Sequence, residues 1–443
     1  MKSFAFSRKL AVFTSCSTLA LLALAPAASA ADLDVAVKAD SWSGAYVGVA
    51  IGAGGAVNEL EAPFGPGITA SLDGIGAEGY QFSGGIGYDY QFNSRVVFGL
   101  MADYTWSNIE TDLGVTIDGL GSGGYDLEAD NAFSILGRVG ALSGPDTLIY
   151  GLAGYSYQSF DGSLGIFDDV GDPVFGTSYD FDLNGLTIGA GIENRIGNGL
   201  ALKLEYRYTS FENVDIIPGF LSANPTFHTV RLGLNYRFGA DGNQPDVAAI
   251  PYDWTGFLFG IEGGAGTNVT ELYGGIPGAG SGSFDGLGAS GGTVGLRIGY
   301  DYQFANNFVA GVQVAGRLSR QDFEINVNTP GGDVGLAELS ESYQFSVTGR
   351  LGYTATPDTL WYVLGGYTWG ETDLGIFSTD ITSFDREGYT VGVGVETALS
   401  QNITAGLEYR FTQYDDNGIL PPIVNAENSS HAAMFSLNYK FRP

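Results

Sequence analysis

Two histidines, His228 and His431, are the only imidazoles in the 443-residue chain, and they stand 203 residues apart. Each lies where a long loop enters the last alternating segment of its half, with acidic loops nearby. A histidine beside aspartates can act as a general base, so an Asp–His hydrolase is one chemistry to weigh. No serine motif accompanies either histidine, and a duplicated loop-end residue is inherited as easily as it is selected. No His or Cys cluster has transition-metal spacing. Gly52, Gly54 and Gly55 do not precede a helix, so they form no phosphate loop. The sequence therefore assigns no catalytic, cofactor or metal residues, and the expectation is a protein that is not an enzyme.

A second set of charged residues falls on one side of alternating segments. In the first half these are Asp103, Arg138, Glu193, Lys203, Glu205, Arg207 and Arg231. In the second half they are Glu262, Arg297, Arg317, Arg350, Glu396, Glu408 and Arg410. Both signs occur together, so the expected role is mutual pairing in a crowded interior, because an unpaired buried charge costs several kcal/mol. A proton or ion path through that interior is the sharper alternative.

The elements that hold these charges are strands. In 80–92, YQFSGGIGYDYQF, the residues Tyr80, Phe82, Ile86, Tyr88, Tyr90 and Phe92 fall on one side, and Gln81, Ser83, Asp89 and Gln91 on the other. A period of 2 is a β-strand. The bulky apolar face ends in aromatics and the other face is small or polar. That suits a strand with lipid outside and a polar lumen inside. The same alternation recurs in 96–106, 132–139, 185–195, 200–209 and 229–238. In 200–209 it puts Leu200, Leu202, Leu204, Tyr206 and Tyr208 outward. Eight such strands are expected per half.

The chain repeats itself. Gly87-Tyr-Asp-Tyr-Gln-Phe92 returns letter for letter at 299–304, and Trp42-x-Gly at Trp254-x-Gly, both 212 residues on. Leu204-Glu-Tyr-Arg207 returns at 407–410, 203 residues on. A two-copy period near 210 is a duplicated domain; a solenoid would repeat every ~20–50 residues.

Residues 1–30 read as a cleavable signal peptide: Lys2, Arg8 and Lys9, an apolar run, then Ala28-Ser29-Ala30. Cys16, the single cysteine, lies inside it in a poor lipoprotein context, so the mature chain has no disulfide. Three of the 19 basic residues lie in the leader, leaving 16 against 49 acidic, net −33. This excludes nucleic acid as a partner. With 25 Tyr and 28 Phe the chain is folded, not a disordered acidic tail. No mature stretch offers 18 consecutive apolar residues, so no transmembrane helix is expected.

Connections alternate between tight turns (93–94, 144–145, 197–199) and long segments of about 16–26 residues. Short periplasmic turns and long extracellular loops are the asymmetry of outer-membrane barrels. The long segments 110–130 and 160–182 are acidic and contain no Lys or Arg. They present a solvated repulsive surface, or loosely bind calcium or magnesium that bridges to lipopolysaccharide phosphates.

Trp42-x-Gly-x-Tyr, Gly-Tyr-Asp-Tyr-Gln-Phe, Leu-Glu-Tyr-Arg-Tyr and a last strand ending Asn-Tyr-Arg-Phe resemble the small OmpA-like outer-membrane barrels, closest to the RopB-type proteins of alphaproteobacteria. The resemblance covers nearly all of the mature chain, twice, whereas members of that family are usually single eight-stranded barrels. It implies an envelope-stabilising constituent of the outer membrane without catalytic residues. It also implies delivery by the outer-membrane assembly machinery through the C-terminal strand, although Arg442-Pro443 here follow the final aromatic Phe441.

The resulting expectation is an all-β transmembrane protein of antiparallel up-and-down topology. It comprises a signal peptide (1–30), a periplasmic lead-in (31–41), a first eight-stranded barrel (42–238), a linker (239–253) and a second barrel (254–443). Its partners would be outer-membrane lipid, lipopolysaccharide and a host or surface receptor. The rival is a single sixteen-stranded barrel, which would leave a water-filled, porin-like channel.

Overall fold

The computed structural model describes residues 42–441, apart from 170–171, 218–220, 239–246, 277–278, 378, 416 and 421–423. The expected signal peptide, the lead-in 31–41, much of the linker and Arg442-Pro443 lie outside the described residues.

The first half contains β1 (Gly44–Gly65), β2 (Ile68–Gln91), β3 (Val96–Ile117), β4 (Gly121–Leu142), β5 (Thr147–Phe167), β6 (Pro173–Gly197), β7 (Leu200–Phe211), the short β8 (Val214–Ile217) and β9 (Leu221–Arg237). The second half repeats the series: β10 (Gly256–Ile276), β11 (Gly280–Gln303), β12 (Phe308–Thr329), β13 (Gly332–Thr356), β14 (Thr359–Ile376), β15 (Thr379–Ala398), β16 (Ile403–Tyr414), the short β17 (Asn417–Leu420) and β18 (Val424–Phe441). All pairing is antiparallel between successive strands. The first strand of each half also pairs with its last: Tyr46–Glu61 of β1 runs against Ser222–Arg237 of β9, and Phe257–Gly274 of β10 against Val424–Phe441 of β18. Each half thus closes on itself as eight staves, with β8 and β17 extending a neighbouring stave.

The turns at one end are tight, as the sequence predicts. Between β6 and β7, Asn198 and Gly199 both take left-handed φ (54° and 78°), which suits a two-residue turn of twisted strands. At the other end the structure departs from expectation. The acidic segments 110–130 and 160–182 are not irregular loops. They continue as strands, and their backbone groups are paired almost to the tips, as in Asp112↔Asp126 and Ser163↔Ser178.

Two of these extensions cross between the halves. Thr69–Asp73 of β2 pairs with Glu324–Asn328 of β12, and Gly280–Asp285 of β11 pairs with Asp112–Ile117 of β3. The two crossings are related by the repeat itself, since adding 212 to Asp73 and Asp112 gives Asp285 and Glu324. Equivalent hairpins of the two halves pair edge to edge about a pseudo-two-fold axis, the relation of an isologous dimer. Thr147 and Thr359, equivalent positions, meet on that axis at 2.8 Å.

The inside–outside alternation holds. Phe82, Ile86, Tyr88 and Leu100 are exposed on the outer wall, while Gln81, Asp89, Gln91, Asp103 and Thr105 are buried within. One stretch of outer wall behaves differently. Leu202, Leu204 and Val230 point outward as expected, yet they are buried, Leu204 completely (0%). They pack with Ile192 of their own half and with Trp361, Val395, Leu407, Tyr409 and Phe411 of the other. Leu204 therefore faces the neighbouring ring and not lipid. Period 2 fixes which side a residue takes, and says nothing about what covers that side.

Tryptophans close both tight-turn mouths. Trp42 is buried against Val97, Leu142, Leu148 and the linker's Val247; Trp254 is buried against Val309, Leu360 and Ala398.

Candidate functional site: charged lumens and an acidic outer rim

Every inward charge named from the sequence lies buried in a lumen. Near the tight turns of the first ring, Arg138 donates from Nε to Asp89 (2.8 Å) and from Nη1 to Glu193 (2.8 Å). Arg237 donates from Nη2 to the same two carboxylates at 2.6 and 2.9 Å. The second ring repeats this quartet at equivalent positions. Arg350 donates to Asp301 (2.8 Å) and Glu396 (2.7 Å), and Lys440 to Asp301 (2.6 Å). Alternation placed Asp89 on the polar face, but its centrality, and that of Asp301, emerges only once the quartet's four strands are brought together by closure of the ring.

The next layer is rewired between the halves. In the first, Arg207 reaches Asp103 through both terminal nitrogens (3.0 and 2.9 Å) and Glu205 through Nε (2.7 Å). Arg231 reaches Asp103 (3.0 Å), Tyr150 donates to Glu205 (2.6 Å), and Lys203 stands 3.6 Å from Glu205. In the second, Glu262 faces Arg317 (2.6 Å) and Arg297 (3.5 Å), and Glu408 pairs with Arg297 and Arg410. Asp103, Lys203 and Arg231 have no charged counterparts at their equivalent positions (Ala315, Gly406 and Met434), while Glu262, Arg297 and Arg317 are new. Both layers nevertheless hold two carboxylates and three cations, so pairing is kept while positions change. Cavities in this region measure only about 20 Å³ each, room for roughly one water.

The second chemical feature lies outside, above the aromatic belt of Tyr80, Phe82, Tyr104 and Trp106. Register sets Glu78 opposite Glu110, Glu110 opposite Glu128, Glu128 opposite Asp161, and Asp161 opposite Asp180. Five carboxylates form one row across β2–β6. Like charges directly opposite are destabilising. Partial burial, with Glu110, Asp126, Asp130 and Asp161 around it, pushes the Glu128 carboxyl above its usual range. Hydrogen bonds from Tyr157 and Ser159 instead hold Asp182 below its usual value. The second ring has a shorter counterpart in Glu371 opposite Asp385. Among the described residues no three His, Cys, Asp or Glu side chains gather as a metal-ligand set. The row is a line of charge and not a chelating pocket.

The histidines face the seam between the rings. Tyr206 OH is 2.8 Å from His228 Nδ1, and Tyr409 OH is 2.7 Å from His431 Nδ1. His431 Nε2 also meets Glu78 of the other half at 3.2 Å, and Ser429 bonds to the same carboxylate. The carboxylate sits between serine and histidine. A nucleophilic relay needs the histidine between serine and acid, so this cluster clasps two rings and does not activate a hydroxyl.

The outer membrane protein beta-barrel domain family matches residues 17–238 and again 252–441. The chain belongs to this family. The 31 kDa outer-membrane immunogenic protein of Brucella melitensis is 32% identical over 210 residues, 45% of this chain and 84% of that protein. The 22 kDa outer membrane protein of Rhizobium leguminosarum bv. viciae is 31% identical over 206 residues, 45% of this chain and 80% of that one. One repeat of this outer-membrane barrel thus corresponds to most of a relative, and the resemblance to alphaproteobacterial barrels stands. The protein resides in the outer membrane. The relatives are named as outer-membrane proteins, not as enzymes.

Sequence reasoning missed Arg386 and Glu341, an ion pair at 3.1 Å in the upper second lumen, with Asn268 donating to Glu341 at 2.9 Å. Both residues sit in segments read as loops. Alternation carried past the aromatic belt turns Arg386 inward with Thr390, but it would place Glu341 outward with Tyr343 and Phe345; a register shift between Glu341 and Tyr343 turns Glu341 into the lumen.

Proposed function

We propose that this outer-membrane barrel protein is a non-catalytic stabiliser of the envelope. Its two lumens are plugged, and it works through its outer rim, where divalent cations join the carboxylate row to lipopolysaccharide phosphates. The observation that carries this is the row Glu110–Glu128–Asp161–Asp180, which runs on from the seam-held Glu78 in cross-strand register directly above the aromatic belt. Aromatic side chains mark the membrane interface, so the row lies at headgroup depth. Lipopolysaccharide presents phosphates there, and two anionic surfaces approach only if cations screen or bridge them. Calcium and magnesium favour carboxylate oxygens and suit such bridging. The same rim makes the protein accessible to a host or surface receptor.

The test is a strain carrying Glu110→Gln, Glu128→Gln and Asp161→Asn together. It should become as sensitive to chelator and detergent as a strain lacking the protein, with wild-type amounts of folded barrel in the membrane. In purified protein reconstituted with lipopolysaccharide, millimolar calcium should increase the protease protection of wild-type hairpins and leave that of the variant unchanged. Equal protection with and without divalent cations, together with an unaltered envelope, would refute the cation-bridging role.

A further inference from the structure

The acidic row occupies only one face of the extended hairpins β3–β4 and β5–β6. The other face continues the inner wall above the first lumen and is apolar. At its base, Phe160 stacks on Phe181 (centroids 5.1 Å apart) and meets Phe211 and Phe227 edge-on at 6.0 and 6.1 Å. Phe160, Phe211 and Phe227 are buried with Ile109 and Leu183, Phe181 packs half-buried against them, and together they close the extracellular mouth. Above the seal the same face stays open. Tyr125 and Tyr179 join hydroxyls at 2.9 Å. Beyond them, register aligns Val115, Gly123, Ile166 and Phe175 across four strands. Val115, Ile166 and Phe175 are 47%, 47% and 50% exposed, and Leu164 is 40% exposed. Clustered exposed apolar side chains on a soluble surface mark interaction sites.

The surroundings choose the occupant. Asp118, Asp168, Asp169 and Asp172 stand at the tips, and no Lys or Arg occurs in 110–130 or 160–182. A lipid phosphate or a second copy of this acidic chain would be repelled. A neutral apolar solute would gain nothing from the acidic edge and would meet a sealed lumen below. A partner with an apolar face and a basic border satisfies both features. We propose that the inner face of hairpins β3–β4 and β5–β6 is a docking surface for a basic amphipathic peptide segment. The apolar stripe would lie on Val115, Leu164, Ile166 and Phe175, and the Lys or Arg flanks would reach the tip aspartates. This surface is independent of the outward carboxylate row, so it stands or falls separately from the lipopolysaccharide role.

The probe is a synthetic Lys/Leu peptide of about 18 residues whose leucines fall on one helical face, about five turns long. Its control is a scrambled peptide of identical composition. Both are titrated against the intact protein in zwitterionic-lipid nanodiscs, with empty discs subtracted. The amphipathic peptide should bind at least about tenfold more tightly than the scrambled one. Ile166→Ser with Phe175→Ser should abolish that preference, since it removes half of the four-residue apolar stripe. Asp169→Asn with Asp172→Asn should weaken both peptides and flatten the salt dependence. Substitutions of the outward row (Glu110→Gln, Glu128→Gln) should leave the preference intact. All six substituted positions lie above the aromatic belt, and heat-modifiability verifies that each variant barrel is folded. Equal binding of the two peptides, unchanged binding by the serine variant, or no binding above empty discs would overturn the proposal.

Discussion

At the residue scale, each lumen is an arrangement in which every charge needs its neighbours. Arg138 is 4% exposed and neutralises both Asp89 and Glu193. Replacing it with leucine strands two buried carboxylates on Arg237 alone, at a cost of about 3–5 kcal/mol. Arg138→Leu should lower the urea midpoint for unfolding in micelles, and Arg350→Leu should do the same in the second ring. Gly99 belongs to the same account, because a methyl there would collide with the Asp89 carboxylate, and Gly311 stands in the same relation to Asp301. While Arg386 and Glu341 above the aromatic belt were missed, the identity of the inward charges below it was legible from alternation. Their pairing was not, because Asp103, Arg207 and Arg231 are brought together from β3, β7 and β9 only when the ring closes.

At the element scale, the hairpins resist their own charge. Glu128 titrates above the ordinary glutamate value of 4.5 in the folded protein. A carboxyl raised in this way binds its proton more tightly folded than unfolded, so stability is present at low pH and lost as pH rises through the folded value. Protection of β3–β4 from protease should therefore fall as pH rises above the ordinary glutamate range. Glu128→Gln should keep the hairpin protected at neutral pH and flatten that dependence. The outer wall provides a second prediction. Leu186 is 66% exposed and faces lipid, while Leu204 is fully buried between rings. Leu204→Ala should cost about 2–5 kcal/mol through the cavity it leaves, and Leu186→Ala much less. For Leu186→Arg the expected penalty is about 2–4 kcal/mol near the midplane. Equal unfolding midpoints for the two alanine variants would contradict the seam. Alternation made Leu186 and Leu204 indistinguishable, since both are outward. Likewise, the acidic composition of 110–130 gave no sign that its backbone would stay paired, which Gly, Ser and Thr between the charges permit.

At the scale of the whole molecule, the duplication was plain in the letters, while the relation of the copies was not. The 212-residue offset says that two domains exist; the symmetric crossings Asp73↔Glu324 and Asp112↔Asp285 say how they embrace. A chain cleaved within 239–246 should remain one complex in mild detergent and separate only on heating. Separation without heat would contradict the edge-to-edge pairing of the hairpins. The central claim is that two rings closed at eight staves are each filled by charge and capped by tryptophan, so that the protein acts at its surface and not as a pore. Single-channel recording of the purified chain in planar bilayers bears on this most directly. A quiet bilayer, without stable openings on the order of a nanosiemens, is expected from lumens this narrow. Stable openings of that size would mean that the strands form one wide, water-filled barrel.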